Sequence, residues 1–187
     1  DESGLTKTGP TSYGTGSDAL NGDSFINTTS SPVDVVYTIT PYIDIDGAAA
    51  DCVGLPFEVT VTVSPAPVGV DQAKTVNSGI PIEVTLASAT GSTPISSYRI
   101  AGITSTDLTP GSNNRAVGNP IPANGLFNDT FTNTESISKN VIYSIVPISE
   151  DGCEGEEFTV TVTIRAEPDV ADQVLTVCNE QALGVTL

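Results

Sequence analysis

The chain has 187 residues, with Lys+Arg 6 against Asp+Glu 23, a formal net charge of -17 and no His, Trp or Met. A surface this acidic repels nucleic-acid phosphates and anionic lipid heads, which argues against nucleic-acid partners and a polybasic membrane contact, and no membrane insertion is expected. The absence of histidine removes the Ser/His/Asp triad, the Cys/His dyad and histidine-ligated metal centres, so any catalysis would rest on carboxylates, Lys, Tyr or Cys.

Ser and Thr make up about a quarter of the chain, beside Gly 17 and Pro 13, a mixture that suits strands and turns and predicts almost no helix. In chain order, the text from Phe25 reads FINTTSSPVDVVYTITP and leads into an acidic turn, Tyr42–Asp51. From Cys52 it reads CVGLPFEVTVTVSPAP, where Phe57, Val59, Val61 and Val63 alternate with polar residues as in a half-buried strand. Ser64-Pro65-Ala66-Pro67 then forms a stiff, extended joint. Strands are predicted over Ala73–Asn77, Ile82–Ala87, Ser97–Ile103, Leu126–Asn133 and Asn140–Pro147. Thr109–Pro122 reads as a mobile loop or irregular edge, being long, polar and rich in Gly and Pro. Phe158, Val160, Val162 and Ile164 share one face of a further strand, and Arg165-Ala166-Glu167-Pro168 is a second joint.

The chain repeats itself. Phe25, Asn27, Thr28, Val35, Tyr37 and Pro41 match Phe131, Asn133, Thr134, Val141, Tyr143 and Pro147 at an offset of 106. After the acidic turn, five residues longer in the first copy, the offset is 101: Cys52 matches Cys153 and Phe57 matches Phe158. The same offset carries Asp71, Val76 and Leu86 onto Asp172, Val177 and Leu187. A period near a hundred residues fits a sandwich domain rather than a helical solenoid. The expected organisation is therefore residues 1–67 as the C-terminal part of one β-sandwich repeat, 68–168 as a complete repeat and 169–187 as the opening strands of a third. Joined end to end by stiff joints with little contact across them, these would make an all-β rod of antiparallel sandwiches, cut from something longer. Phe57, Phe158, Tyr37 and Tyr143 are all expected in cores.

These residues carry a resemblance. The order V-x-Y-x-I-x-P, the turn Gly152-Cys153-Glu154-Gly155, the strand F-x-V-x-V-x-V/I, a proline joint and Thr176-Val177-Cys178 resemble PKD-like, immunoglobulin-type repeats of giant surface proteins of Bacteroidota. Among these they are similar to the mobile adhesins of gliding species, exported by the type 9 secretion system. Asn77 departs from the pattern where the third repeat has Cys178. The resemblance implies an extracellular, cell-surface filament without catalytic activity. Its partners would be external surfaces or polysaccharide, neighbouring repeats, and secretion and motility machinery acting through other regions. Spacer or carbohydrate-binding modules of a secreted polysaccharide hydrolase, and a surface-layer protein, are the alternatives.

Candidate sites are few. Asp44, Asp46 and Asp51 give the acidic turn alternating hard oxygens of the kind calcium prefers, but Ala48 and Leu55 stand where an EF-hand needs ligands, so a solvated acidic turn is the stronger reading. Cys52, Cys153 and Cys178 are an odd number, read as structural thiols whose partners lie elsewhere, with Cys153 and Cys178 at opposite poles. Asp23-Ser24-Phe25 and Asp129-Thr130-Phe131 resemble the Asp-Ser/Thr-apolar signal for O-glycans in Bacteroidota, with Phe departing from the usual aliphatic third residue. Against glycosylation at Ser24 or Thr130 stands a plainer reading, an Asp that ends a turn before a strand.

Overall fold

A computed structural model describes residues 4–9, 20–43 and 52–167, with positions 174, 176, 178 and 182 beyond them. Among the described residues there are strands and turns and no helix. The first copy holds β1 (Leu5–Lys7), β2 (Phe25–Asn27), β3 (Val33–Ile39), β4 (Tyr42–Ile43), β5 (Cys52–Val53) and β6 (Phe57–Val63). The second holds β7 (Gln72–Asn77), β8 (Ile95–Ser105), β9 (Thr109–Pro110), β10 (Pro120–Ile121), β11 (Phe131–Thr132), β12 (Lys139–Ser149) and β13 (Phe158–Arg165).

The second copy is built on a five-stranded sheet in the order β10-β8-β12-β13-β7. Every pair in it is antiparallel except one. β7 runs parallel to β13, from Gln72 opposite Val160 to Asn77 opposite Arg165, which corrects the expectation of a purely antiparallel sandwich. The first and last strands of the unit thus lie side by side and point the same way. Val141, Tyr143, Ile145, Phe158, Val160, Val162 and Ile164 send buried side chains from this sheet into one core, as their period-2 spacing demands.

Ile82, Val84 and Leu86 cover that core from the other side. Their alternation is strand-like, but 82–86 is not a regular strand, because Glu83 takes a left-handed φ of 48° that breaks the ladder. Its amides bond instead to scattered carbonyls, Ile82 N to Asp129 O, Glu83 N to Phe127 O and Leu86 N to Ala123 O. The expected strand Leu126–Asn133 also shortens to Phe131–Thr132. Turn bonds Gly125 N to Pro122 O, Phe127 N to Asn124 O and Asp129 N to Leu126 O fold its first half into successive turns, in keeping with the turn preference of Asn and Gly. The interval Thr109–Pro122 carries two short strands, β9 and β10, with β10 at the sheet edge, which fits the irregular-edge alternative of its sequence reading.

In the first copy β3 and β6 form a two-stranded ribbon, β4 and β5 extend it, and β1 pairs with β2. The pairing register repeats that of the second copy residue for residue. Tyr37 lies opposite Val59 and Ile39 opposite Phe57, as Tyr143 lies opposite Val160 and Ile145 opposite Phe158. Burial repeats at Val35, buried as Val141 is, but not along the rest of the face. Phe158 is 6% exposed and Phe57 is 50% exposed, so Phe57 is not the core residue its spacing predicts, and Tyr37 is only half-buried. The physical reason is visible in the second copy, where Ile82, Val84, Leu86, Tyr98 and Ile100 cover the equivalent face. Among the described residues nothing comparable covers the ribbon of the first copy.

The joint between the copies is less free than its sequence suggests. Pro65 and Pro67 are buried, Thr93 Oγ1 donates to Pro65 O at 3.2 Å, and Ser64 Oγ donates to Asp151 Oδ2 at 3.3 Å. A side chain at Gly155 would collide with the Pro67 carbonyl, so the close pass of the joint over this turn requires glycine there.

Candidate functional site

Two buried polar side chains of the second copy, Asp129 and Asn133, lie four residues apart. Tyr143, wholly buried on β12, donates its hydroxyl to Asp129 Oδ2 at 2.8 Å, and Asp129 Oδ1 accepts the backbone N–H of Arg115 at 3.0 Å. Burial pushes the Asp129 carboxyl above its ordinary range, against the lowering effect of the Tyr143 and Arg115 bonds. Burial, with the adjacent Asp129 charge, likewise pushes the Tyr143 hydroxyl far up, so it stays a proton donor at all ordinary pH. A few residues on, the buried Asn133 donates to Ile137 O at 2.9 Å and Ile164 O at 3.0 Å, and its Oδ1 accepts Glu135 N at 3.0 Å. It clamps the end of β13 to the turn that opens β12.

The first copy repeats both devices. Tyr37 donates to Asp23 Oδ2 at 2.6 Å. Asn27 donates to Ser31 O at 2.8 Å and Val63 O at 2.7 Å, and accepts Thr29 N at 2.9 Å. Even an exposed rung recurs, Thr62 Oγ1 to Asp34 Oδ1 and Thr163 Oγ1 to Asn140 Oδ1. The electrostatics differ at one point. Lys7 Nζ sits 2.8 Å from Asp23 Oδ1, and its hydrogen bond, with that of Tyr37, holds the Asp23 carboxyl below the ordinary range.

The repeated Asn27 and Asn133 are among the matched positions of the two texts, but sequence reasoning assigned them no role. Asp23 and Asp129 drew notice only as the first residue of a glycan-like signal. The signal that could have found them was the fixed spacing Asp-x-Phe-x-Asn-(x)9-Tyr present in both copies. The Asp of each triplet is held by a tyrosine, which accounts for it without a glycan. Ser24 is exposed and its Oγ lies 2.8 Å from Thr8 Oγ1. Thr130 is half-buried, with its N–H given to Asn114 Oδ1 and its carbonyl accepting Gly111 N and Asn114 Nδ2.

Asp44, Asp46 and Asp51 lie outside the described residues. Among the described residues no group of three Cys, Asp or Glu side chains is placed to hold a metal ion. Cys52, Cys153 and Cys178 are free thiols, Cys52 and Cys178 exposed and Cys153 half-buried. The joint shapes an open cleft of about 270 Å³ whose lining includes Ser64, Pro65, Thr93, Glu150 and Asp151. Its two carboxylates are chain neighbours on one wall, with no acidic residue facing them and no aromatic ring in the lining. Glycoside hydrolysis needs carboxyls on both sides of the bond, and sugar stacking needs rings, so the cleft offers neither. No helix among the described residues is long and apolar enough to cross a membrane.

Doubled scaffold bonds at a spacing near a hundred residues are what a tandem domain family would produce. A family model described as a PKD-like domain matches residues 4–67 and 118–168. The chain belongs to the PKD-like domain family. No curated protein matches it. Both matched segments of this PKD-like chain end on equivalent joint prolines, Pro67 and Pro168, and both contain the Asp–Tyr bond and the Asn clamp. PKD-like domains are in general non-catalytic, immunoglobulin-like modules of extracellular or surface proteins, and an extracellular repeat or spacer segment fits both the family and the fold.

Proposed function

We propose that this chain is a non-catalytic segment of a long extracellular filament, part of a large bacterial surface adhesin that attaches cells to surfaces or polysaccharide and serves gliding motility after export by type 9 secretion. The observation that carries the reading is the parallel pair β7–β13. The chain enters the unit through β7 and leaves through β13. In a parallel pair the entering end of one strand and the leaving end of the other lie at opposite ends of the ladder. Tension applied through the two joints therefore shears the whole set of backbone bonds together instead of peeling them one at a time. The buried joint prolines and the bonds of Thr93 and Asp151 to the joint keep successive units in a fixed relation. High negative charge keeps neighbouring filaments apart. Calcium at Asp44, Asp46 and Asp51 belongs to this reading only as a stiffener of the acidic turn.

Single-molecule stretching tests the mechanical part. The second copy should unfold in one high-force step, and Val76→Pro, which removes an amide on the β13 side of the terminal pair, two residues before the Ser78 N that donates to Arg165 O, should lower that force sharply. An unchanged force would remove the support that β7–β13 gives. The adhesive part is tested on the parent cells: antibody fragments raised against residues 68–167 should label intact cells and block attachment, and failure to label them would exclude a surface filament.

A further inference from the structure

A pocket of about 260 Å³ opens in the second copy between the end of β8, the β9–β11 pair and β12. The buried rings of Phe131 and Tyr143 lie at its base, and Ile103, Ser105, Pro110 and Arg115 stand around it. No carboxylate lines it, in a chain with Asp+Glu 23.

The first copy shows what opens this space. Pro110 lies opposite Phe131 as Lys7 lies opposite Phe25, and Gly111 N donates to Thr130 O as Thr8 N donates to Ser24 O. The lysine of the first copy reaches Asp23 Oδ1 at 2.8 Å. Its counterpart Pro110 brings no charge to Asp129, and at Gly111 a side chain would collide with Thr130 Oγ1. The cation comes instead from Arg115, whose backbone N–H is held by Asp129 Oδ1 at 3.0 Å and whose Nε donates to Gly125 O at 3.0 Å. Among the described residues its two Nη groups carry no hydrogen bond or ion pair, whereas Lys7, Lys74, Arg99 and Lys139 each meet a carboxylate. The acids close by in the chain are already engaged. Asp107 pairs with Lys139 at 2.7 Å, and Asp129 holds Tyr143 and Arg115.

We propose that this pocket binds one hexuronate unit of an acidic polysaccharide. The fork of Nη donors matches a planar carboxylate. Ile103, Pro110 and Phe131 suit the C–H face of a sugar ring, and the exposed Ser105 hydroxyl, unbonded among the described residues, is available to a ring hydroxyl. The volume falls just below the roughly 300 Å³ at which sites for drug-sized ligands begin, which leaves room for a single ring. Ser30, Pro32 and Ser64, which line the joint cleft between the copies, correspond to Ser136, Ser138 and Arg165, and none of these lines the pocket. The proposal deepens the adhesive reading by naming the class of polysaccharide, and rests on that reading only for the source of the ligand.

The test is an NMR titration of the full chain with free galacturonate, galactose, acetate and N-acetylaspartate. It is run in about 0.15 M NaCl, where charges beyond about 8 Å are screened and the net charge of -17 does not dominate. Galacturonate should shift the Ser105, Gly111, Arg115 and Phe131 amides saturably, with a Kd on the order of 1 mM for a ligand of this size. The other three should bind at least about tenfold more weakly. No saturable shift at these amides would overturn the site. Galactose as strong as galacturonate would overturn the role of Arg115, and acetate or N-acetylaspartate as strong would show carboxylate capture without a sugar and overturn the assigned ligand. Arg115→Gln keeps the backbone N–H that Asp129 holds and should weaken galacturonate at least about tenfold. Ser105→Glu, at an exposed position, sets a carboxylate against that of the ligand and should do the same. Unshifted β12 and β13 amides report that each variant is folded, and unchanged affinity in either folded variant would overturn the proposal. Galacturonate binding without cell-surface labelling would count against the filament reading alone, and labelling without galacturonate binding against the pocket alone.

Discussion

Phe57 and Phe158 occupy the same place in the same strand, opposite equivalent isoleucines, yet one is half exposed and the other is buried. The two copies agree in ladder register, the Asp–Tyr bond, the Asn clamp and the Thr rung, and differ locally in the Lys7–Asp23 ion pair of the first. They differ in what needs a second layer. Backbone pairing and short-range polar bonds are written within about forty residues of each copy, while burial depends on strands contributed from another part of the chain. A two-stranded ribbon is marginal in water on its own, so the equivalent contacts should contribute very differently to the stability of the two copies.

The largest contrast is expected in the apolar pair. Phe158→Ala should cost the second copy about 3–5 kcal/mol, the usual loss for a buried ring, while Phe57→Ala should cost the first copy under about 1 kcal/mol, because half of that ring already meets water. Chemical denaturation read separately on β12 and β3 amides by NMR checks this, and equal losses would break the comparison. Next come the clamps. Asn133→Ala strands the buried carbonyl of Ile164 and breaks the part-buried bonds to Ile137 O and Glu135 N, a loss of about 2 kcal/mol. Asn27→Ala leaves groups that water reaches, for about 1 kcal/mol by the same measure.

Asp129 and Asp23 sharpen the comparison through pH, because they carry opposite shifts. Asp129 titrates above its unfolded value of about 4. Between that value and its folded pKa the folded copy holds more protons than the unfolded chain, so its contribution to stability falls as pH rises through this window. Asp23 titrates below its unfolded value, so its contribution is present above about pH 4 and is lost as pH falls through its folded pKa. Stability of the second copy in Asp129→Asn should lose the downward slope over that window, and stability of the first copy in Asp23→Asn should lose the upward one. Slopes of the same sign in the two copies would contradict the assignment. The smallest effect is at Glu83, where Glu83→Gly relieves the left-handed backbone and should stabilise the second copy by roughly 0.5 kcal/mol after the extra unfolded-state entropy of glycine; a thermal melt suffices to see its sign.

Much of the fold is legible in the sequence where the physics is local. Alternation at Phe158–Ile164 and Asn140–Pro147 foretells β13 and β12, because a period of two has one structural meaning when one face is apolar. It misleads at Ile82–Ala87, where inward Ile82, Val84 and Leu86 are correctly buried but Glu83 interrupts the ladder, a backbone property that a glutamate does not announce. The parallel direction of β7 against β13 is a matter of long-range topology that no spacing encodes. Phe57 misleads for the same reason, since its identity matches Phe158 while its environment depends on residues far away in sequence. As to the site, the matched Asn27 and Asn133 were in plain view as repeat identities, but their clamping of Val63 and Ile164 needed a strand partner to be known first.

The central claim is that the described part of the first copy repeats the strand pairing of the second and that, among the described residues, it lacks the second copy's covering layer. Fusing a duplicate of residues 68–106 ahead of residue 1 restores the layer at the offset the repeat dictates, and hydrogen exchange of the β3 and β6 amides reads the result. Those amides should slow by at least about tenfold and approach the protection of β12 and β13, as a sheet gains when it acquires a packed face. Exchange in β3 and β6 unchanged by the added residues would contradict the claim.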